Sequence, residues 1–480
     1  MTRFHFFYAM VLIGFAFGIY AVVQHGQSLR APPAVPSSEA ASPSSLRSGV
    51  EPSASLFANV RENLSDPLSR FFIQLILIVT LARICGSLIH RFGQPAVIGE
   101  MLAGILLGPS LLGWVWPAFF HFVFPTSSLG TLRLLSQVGV CLFMFVVGMD
   151  LDLAHLRKQA RTAVVVSQVS IVFPYLLGVT TSLFLFTSLA GANTTFLAFA
   201  LFIGISMSIT AFPVLARILE ERGLTRTPLG ATAIACAATD DVTAWTILAF
   251  VVAIVKAQHV LASLATMLLV VAFVALMWFG IKPAVRGWLD RSSAEVHTPT
   301  KAVMAAVLIF IFGSALVTDL IGVHALFGAF MAGVVMPSRG EFRQSLRVRL
   351  EHFSSVFLLP LFFAFTGLRT QIGLLNDPGS WLVCGALIFV ATVGKLGGAM
   401  LTARVTGVNW LDSFRLGALM NTRGLVELIA LNIGYDLGIL SPRIFAMLVI
   451  LALVTTALTG PLLTLADCLR VRRALEARAA

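Results

Sequence analysis

The sequence predicts an all-α polytopic membrane protein, and three observations carry that reading. Only 11% of its 480 residues are charged and 58% are hydrophobic, with a mean hydropathy of +0.92; a soluble domain carries roughly a quarter charged residues. Apolar stretches of about twenty residues, enough to cross a bilayer as helix, recur from end to end. The Lys and Arg residues behind the net charge of +11 cluster in short loops between those stretches. That is the positive-inside pattern rather than a nucleic-acid surface, and no nucleic-acid partner is expected. A β-barrel would show short alternating segments, which are absent. Five cysteines are scattered without metal-ligand spacing and read as small buried hydrophobes; no cofactor is expected.

Taken in chain order, residues 1–24 have the basic start and long apolar run of a signal sequence. No small-x-small cleavage site follows closely, so they read as an uncleaved anchor. Residues 25–69, with "RAPPAVPSSEAASPSSLRSGVEPSAS", are too polar and Pro/Ser-rich to build a core and read as a disordered extracytoplasmic linker. Residues 70–466 hold the transmembrane domain. Spans are expected near 5–23, 70–90, 95–113, 130–149, 162–188, 195–219, 229–255, 260–281, 302–319, 321–337, 353–370, 381–403, 414–435 and 443–466. Alternate loops such as "HLRKQAR", "KPAVRGWLDR" and the tail 467–480 are basic, whereas "SLAGANTT" and "LNDPGS" are nearly uncharged. The asymmetry puts the C-terminus in the cytoplasm, and the N-terminus too if the first segment is retained.

An internal repeat underlies the spans. "FMFVVGMDLDLAHL" at 143–156 matches "FFAFTGLRTQIGLL" at 362–375, with Phe143 on Phe362 and Gly148 on Gly367. By loop counting the first runs inward and the second outward, so the halves are related by inversion in the membrane plane. In this register two spans with mid-span breakers correspond. "GISMSITAFPVLARIL" carries Ser206, Ser208, Thr210 and Pro213; "ALMNTRGLVELIALNIG" carries Asn421, Thr422, Arg423, Gly424 and Glu427. Proline frees a backbone carbonyl, the polar groups offer substitute hydrogen bonds, and broken backbone at membrane depth needs protein or a water-filled cavity beside it. Interrupted helices at equivalent repeat positions point to a transporter's binding site.

Charge inside the spans is scarce. Asp240 and Asp241 lie in "ACAATDDVTAW", and Lys395 sits about fourteen residues into its span, too deep to reach the interface easily. Neighbouring positions on a helix diverge by about 100°, so the two aspartates cannot face one group. One is expected to pair with Lys395 and the other to face a hydrated cavity. There a carboxylate takes either a proton or a small hard cation, and mutually exclusive binding makes each transit an exchange. Arg423 and Glu427, four apart on one helix face, are expected to pair and fix the second break. His324 reads as a packing residue, Arg369 as interfacial, and "GEMLAGILLGPSLLG" as a helix-packing surface.

Together, "QPAVIGEMLAGILLGPSLLG", "SITAFPVLARIL", "ATDDVTAW", "GVHALFGAFMAGVVMP", "GKLGG" and "NTRGLVELIALNIGYDLGIL" resemble the monovalent cation:proton antiporter-2 family, which includes Kef-type exchangers, plant cation/H⁺ exchangers and bacterial sodium/proton antiporters. The resemblance implies a thirteen-helix inverted-repeat antiporter fold with two crossed discontinuous helices, here preceded by one extra hydrophobic segment. It also implies a homodimer in contact with membrane lipids, in a bacterial inner membrane, that transports by movement of a core domain. Asp241 would hold the transported Na⁺ or K⁺ transiently and carry protons, Asp240 would be the carboxylate paired with Lys395, and Thr210 would neighbour the ion. Paired aspartates go with electrogenic exchange in that family. No nucleotide-binding domain follows the last span, so Kef-type ligand gating is not expected. The alternative is an organic-anion transporter on a similar fold, which would not need the Asp240, Asp241 and Lys395 arrangement. A membrane enzyme would need a catalytic constellation, and the sequence has none.

Overall fold

The computed structural model describes residues 2–27, 63–64, 66–150, 153–192, 194–225, 227–256, 260–292, 300–337 and 340–479; most of the expected linker at 25–69 lies outside them. All its elements are helical. The first is α1 (Thr2–Gly26). The next, α2 (Pro67–Arg91), is started by Asp66, whose carboxylate accepts from the Leu68 amide at 3.1 Å, with Pro67 pre-setting the first helical φ. There follow α3 (Ala96–Leu107), α4 (Thr126–Asp150), α5 (Leu153–Leu189), α6 (Phe196–Ser208), α7 (Phe212–Glu221), α8 (Pro228–Lys256), α9 (Val260–Ala275) and α10 (Lys282–Ser292). The second half comprises α11 (Lys301–Ile321), α12 (Ala325–Val334), α13 (Gly340–Phe353), α14 (Leu359–Arg369), α15 (Pro378–Val405), α16 (Trp410–Met420), α17 (Leu425–Asp436) and α18 (Pro442–Ala479). Polar caps set several starts: Thr195 accepts from Ala198, Asp377 from Ser380 and Asn409 from Asp412.

Among the described residues, 11 helices are long and apolar enough to cross a membrane, which makes this an integral membrane protein with many spans. Three expected spans are not among the 11. The anchor appears as an apolar helix at Ile13–Gly26, and the segment at 321–337 as the short helix Ala325–Val334. The segment at 414–435 is split into α16 and α17. Of the tail at 467–480, residues as far as Ala479 continue α18 as helix.

The helices pack as two bundles. One joins α5, α6, α7, α8, α15, α16, α17 and α18; the other joins α2, α3, α4, α11, α12, α13 and α14. Within the second bundle, backbones touch at glycines. A β-carbon on Gly148 of α4 would lie 2.2 Å from the Phe330 carbonyl oxygen of α12, and one on Gly367 of α14 would lie 2.1 Å from the Gly104 carbonyl carbon of α3. Without a hydrophobic driving force between helices in lipid, such close approach maximises dispersion contact. Along the seam between bundles lies a cavity of about 580 Å³, walled by Phe212, Pro213 and Leu425 on one side and by Val97, Phe143 and Phe363 on the other.

Candidate functional site

Two helix breaks face each other inside the first bundle. After Ser208, the end of α6, residues 209–211 are extended, and α7 restarts with Pro213 in its first turn, where its missing N–H leaves no bond unmade. Between α16 and α17, the helix ends at Asn421 and resumes after Gly424, which is extended. The Ala211 amide donates to the Thr422 carbonyl at 3.0 Å, and the Thr210 hydroxyl reaches the Met420 carbonyl at 3.1 Å. The carbonyls left over at the end of α6 are satisfied by cations from the other half of the chain. Arg423 donates to the Ser206 and Met207 carbonyls, the latter at 2.7 Å, and Lys395 donates to the Ser208 carbonyl. The partial negative charge of a helix C-terminus favours cations there.

Asp240 and Lys395 are fully buried and form an ion pair, with Nζ 3.0 Å from Oδ2. The Asp240 carboxylate also accepts from Ser167 at 2.5 Å, Thr210 at 2.6 Å and Ser170 at 3.2 Å. Lys395 donates in addition to the Ser170 carbonyl at 3.1 Å. Buried charges persist only when paired and hydrogen-bonded in this way. Thr210, expected beside the transported ion, has its hydroxyl on Asp240.

Asp241 is the opposite case. It is 0% exposed, and neither carboxylate oxygen has a hydrogen-bond partner among the described residues. The Phe212 amide faces it without closing a hydrogen bond. The expected hydrated cavity stops at Phe212 and Pro213, one layer short of this carboxylate.

The second break is held by its own residues. Arg423 pairs with Glu427 at 3.1 Å, and both are buried. The Arg423 backbone amide donates to Thr456 Oγ1 at 3.0 Å, and that hydroxyl donates back to the Arg423 carbonyl at 2.9 Å. Thr422 bonds the Leu419 carbonyl at 2.6 Å and Asn421 the Thr455 carbonyl at 3.4 Å, so these two tie the break to its surroundings and do not meet Asp241. Sequence reasoning missed Ser167 and Ser170, although hydroxyls three apart in the apolar "VVVSQVSIV" share a helix face. It also missed Glu100, a carboxylate inside what reads as a packing helix.

Two broken helices that meet at their breaks beside a buried carboxylate, in one of two bundles with a cavity between them, define a secondary transporter. The sodium/hydrogen exchanger transmembrane family matches residues 76–466. Among similar proteins, the Na(+)/H(+) antiporter NhaS4 of Synechocystis sp. is 43% identical over 389 residues, which is 81% of this chain and 95% of that one. Cation/H(+) antiporter 17 of Arabidopsis thaliana is 39% identical over 401 residues, covering 83% of this chain and 48% of that protein, so the chain spans about half the length of this plant relative. The solved sodium proton antiporter MjNhaP1 from Methanocaldococcus jannaschii shares the fold, with a TM-score of 0.57 at 13% identity over 84% of this chain and 97% of that one. The chain belongs to the sodium/hydrogen exchanger family, and it is a monovalent cation/proton antiporter rather than an enzyme.

Proposed function

We propose that Asp241 is the residue at which Na⁺ or K⁺ and protons exchange, with Asp240 and Lys395 as its charged neighbours. The observation that carries this is the pair of Asp241 oxygens, buried and without partners beside two helix breaks. An isolated buried carboxylate must take up a positive charge, and a proton or an alkali cation supplies it. Binding one excludes the other, so each transit of a loaded Asp241 exchanges them. Lys395 adds a second proton carrier: if an arriving cation draws Asp240 away, the unpaired lysine loses its proton, and the cycle moves more protons than cations.

The fold supports a thirteen-helix inverted repeat preceded by α1. The glycines matched in sequence, Gly148 and Gly367, both sit at backbone contacts, one against α12 and the other against α3. The two breaks, which touch through the Ala211 amide and the Thr422 carbonyl, support a reading as crossed discontinuous helices. On this reading the bundle with Asp241 is the moving core and the other is a scaffold, through which two copies dimerise. The basic loops face the cytoplasm of a bacterial inner membrane, so the cavity, which Arg217 and Arg347 line, opens inward. Residues 1–24 form an anchor, 25–69 an extracytoplasmic linker, and 70–466 the antiporter domain.

The test is proton flux in sealed vesicles containing the purified protein, with an imposed pH gradient challenged by Na⁺ and then K⁺. Cation-dependent dissipation that Asp241→Asn abolishes is the expected result. Dissipation that survives Asp241→Asn would remove Asp241 from the role.

A further inference from the structure

The cavity between the bundles is lined by one carboxylate whose situation differs from that of every other charge around it. Glu351 is paired with Arg347 at 3.0 Å, and Arg217 with Glu221 at 3.1 Å. Glu220 and Arg83 also border the space. Glu100, on α3 of the scaffold, is 8% exposed; Arg83 and Arg217 act on it at a distance, and no hydrogen bond or ion pair to it forms among the described residues. Glu100 lines the cavity together with Phe212, whose backbone amide faces Asp241. A nine-tenths buried carboxylate without a partner, aimed into a space that a cation crosses, is an oxygen ligand for that cation.

We propose that Glu100 is a second cation-binding carboxylate, a weak staging site on the scaffold through which Na⁺ or K⁺ passes on its way between the cavity mouth and Asp241. The inference rests on Asp241 being the exchange site. The guanidinium groups of Arg83 and Arg217 lie near enough to act on the Glu100 charge, and their repulsion keeps the site weak. A staging site has to be weak: binding must favour arrival and still permit departure. Because Glu100 belongs to the scaffold and Asp241 to the core, Glu100 serves the core site only while that site faces the cavity. Its effect is therefore confined to one side of the membrane.

That asymmetry is the test. Full-length wild type, Glu100→Gln, Glu100→Asp and Asp241→Asn are reconstituted in vesicles of defined orientation, and cation-driven proton flux is followed with Na⁺, then K⁺, added on either side. Glu100→Gln is expected to raise the KM for the cation on the cavity side by about fivefold or more. The maximal rate should stay within about twofold, and the KM on the opposite side should not change. Glu100→Asp, which restores the charge, should return the cavity-side KM towards wild type. An unchanged KM, an equal rise on both sides, or a lost maximal rate at unchanged KM would each overturn the staging site. If wild type exchanges, Asp241→Asn does not, and Glu100→Gln behaves as wild type, the staging site falls while the exchange reading stands. If wild type drives no flux with either ion, both fall.

Discussion

Arg369 of α14 and Asp436 of α17 form an ion pair of 2.7 Å across the seam between the bundles, on the side opposite the cavity. Arg133 of α4 holds the other carboxylate oxygen at 2.9 Å, so a core aspartate is gripped by two scaffold arginines. Arg369 is further seated over the Phe365 ring at 4.1 Å and donates to Asn432 at 3.2 Å. Asn432 in turn donates to Thr366 of the scaffold at 2.8 Å. The seam there closes to a pocket of about 30 Å³, against the 580 Å³ on the cavity side. One mouth is open, and the other is latched.

The latch predicts a population shift. Asp436→Asn removes both ion pairs, which are partly exposed and together worth about 1–1.5 kcal/mol, or roughly a tenfold change in how often the far mouth opens. Ile433 borders the small pocket and is buried. A cysteine placed there, in a chain without its native cysteines, should react about tenfold faster with an impermeant thiol reagent from the far side. Equal labelling in both backgrounds would mean that the seam does not part at Asp436.

Lys395 and Asp240 give a double-mutant prediction. Removing only the lysine, as in Lys395→Met, leaves a fully buried carboxylate supported by three hydroxyls but no cation, a loss of about 3–5 kcal/mol. Asp240→Asn together with Lys395→Met removes both charges and should recover most of that stability, read as thermal unfolding in detergent. If exchange survives in the double variant, it should become less voltage-dependent, because on the proposed cycle one proton carrier is gone.

Arg423 should matter more than its partner. Arg423→Ala strands the Ser206 and Met207 carbonyls and leaves Glu427 buried without a cation. Glu427→Gln keeps an acceptor for Arg423, and its other oxygen has no partner to lose. Each orphaned buried group forfeits about 1–3 kcal/mol, so Arg423→Ala should fail to yield monodisperse protein while Glu427→Gln remains folded. Comparable melting temperatures for the two would contradict the capping role.

Much of this architecture is legible in the residues. Two charges in an apolar run force the question of a partner, and Lys395 is deep enough to be that partner for Asp240. Pro213 and the Asn421–Thr422–Arg423–Gly424 run advertise the breaks, because few sequences interrupt a span without purpose. Three features were hidden for physical reasons. Arg369 and Asp436 stand at span ends, where charge is ordinary, and only the packing of α14 against α17 shows them gripping each other. Glu100 lies among glycines and leucines whose packing role is real, as the contact of Gly104 with Gly367 shows. The hydroxyl of Thr210 falls on Asp240 rather than Asp241 because the break turns it that way, a choice of rotation that spacing cannot reveal.

The N-terminal helix has a consequence of a different kind. α1 packs on α5 and α6 of the core, with Phe15 edge-on to Phe173 at 6.0 Å and Gly26 against the Phe196 ring. The chain then returns as α2 in the scaffold, after residues 27–66, about 130 Å of backbone at full extension. On the proposed movement of the bundle with Asp241, α1 travels as a passenger on it while its next neighbour in sequence stays with the other. A donor dye on α1 and an acceptor on α11 would turn each stroke into a change of colour, one molecule at a time, without touching a residue that handles the ion.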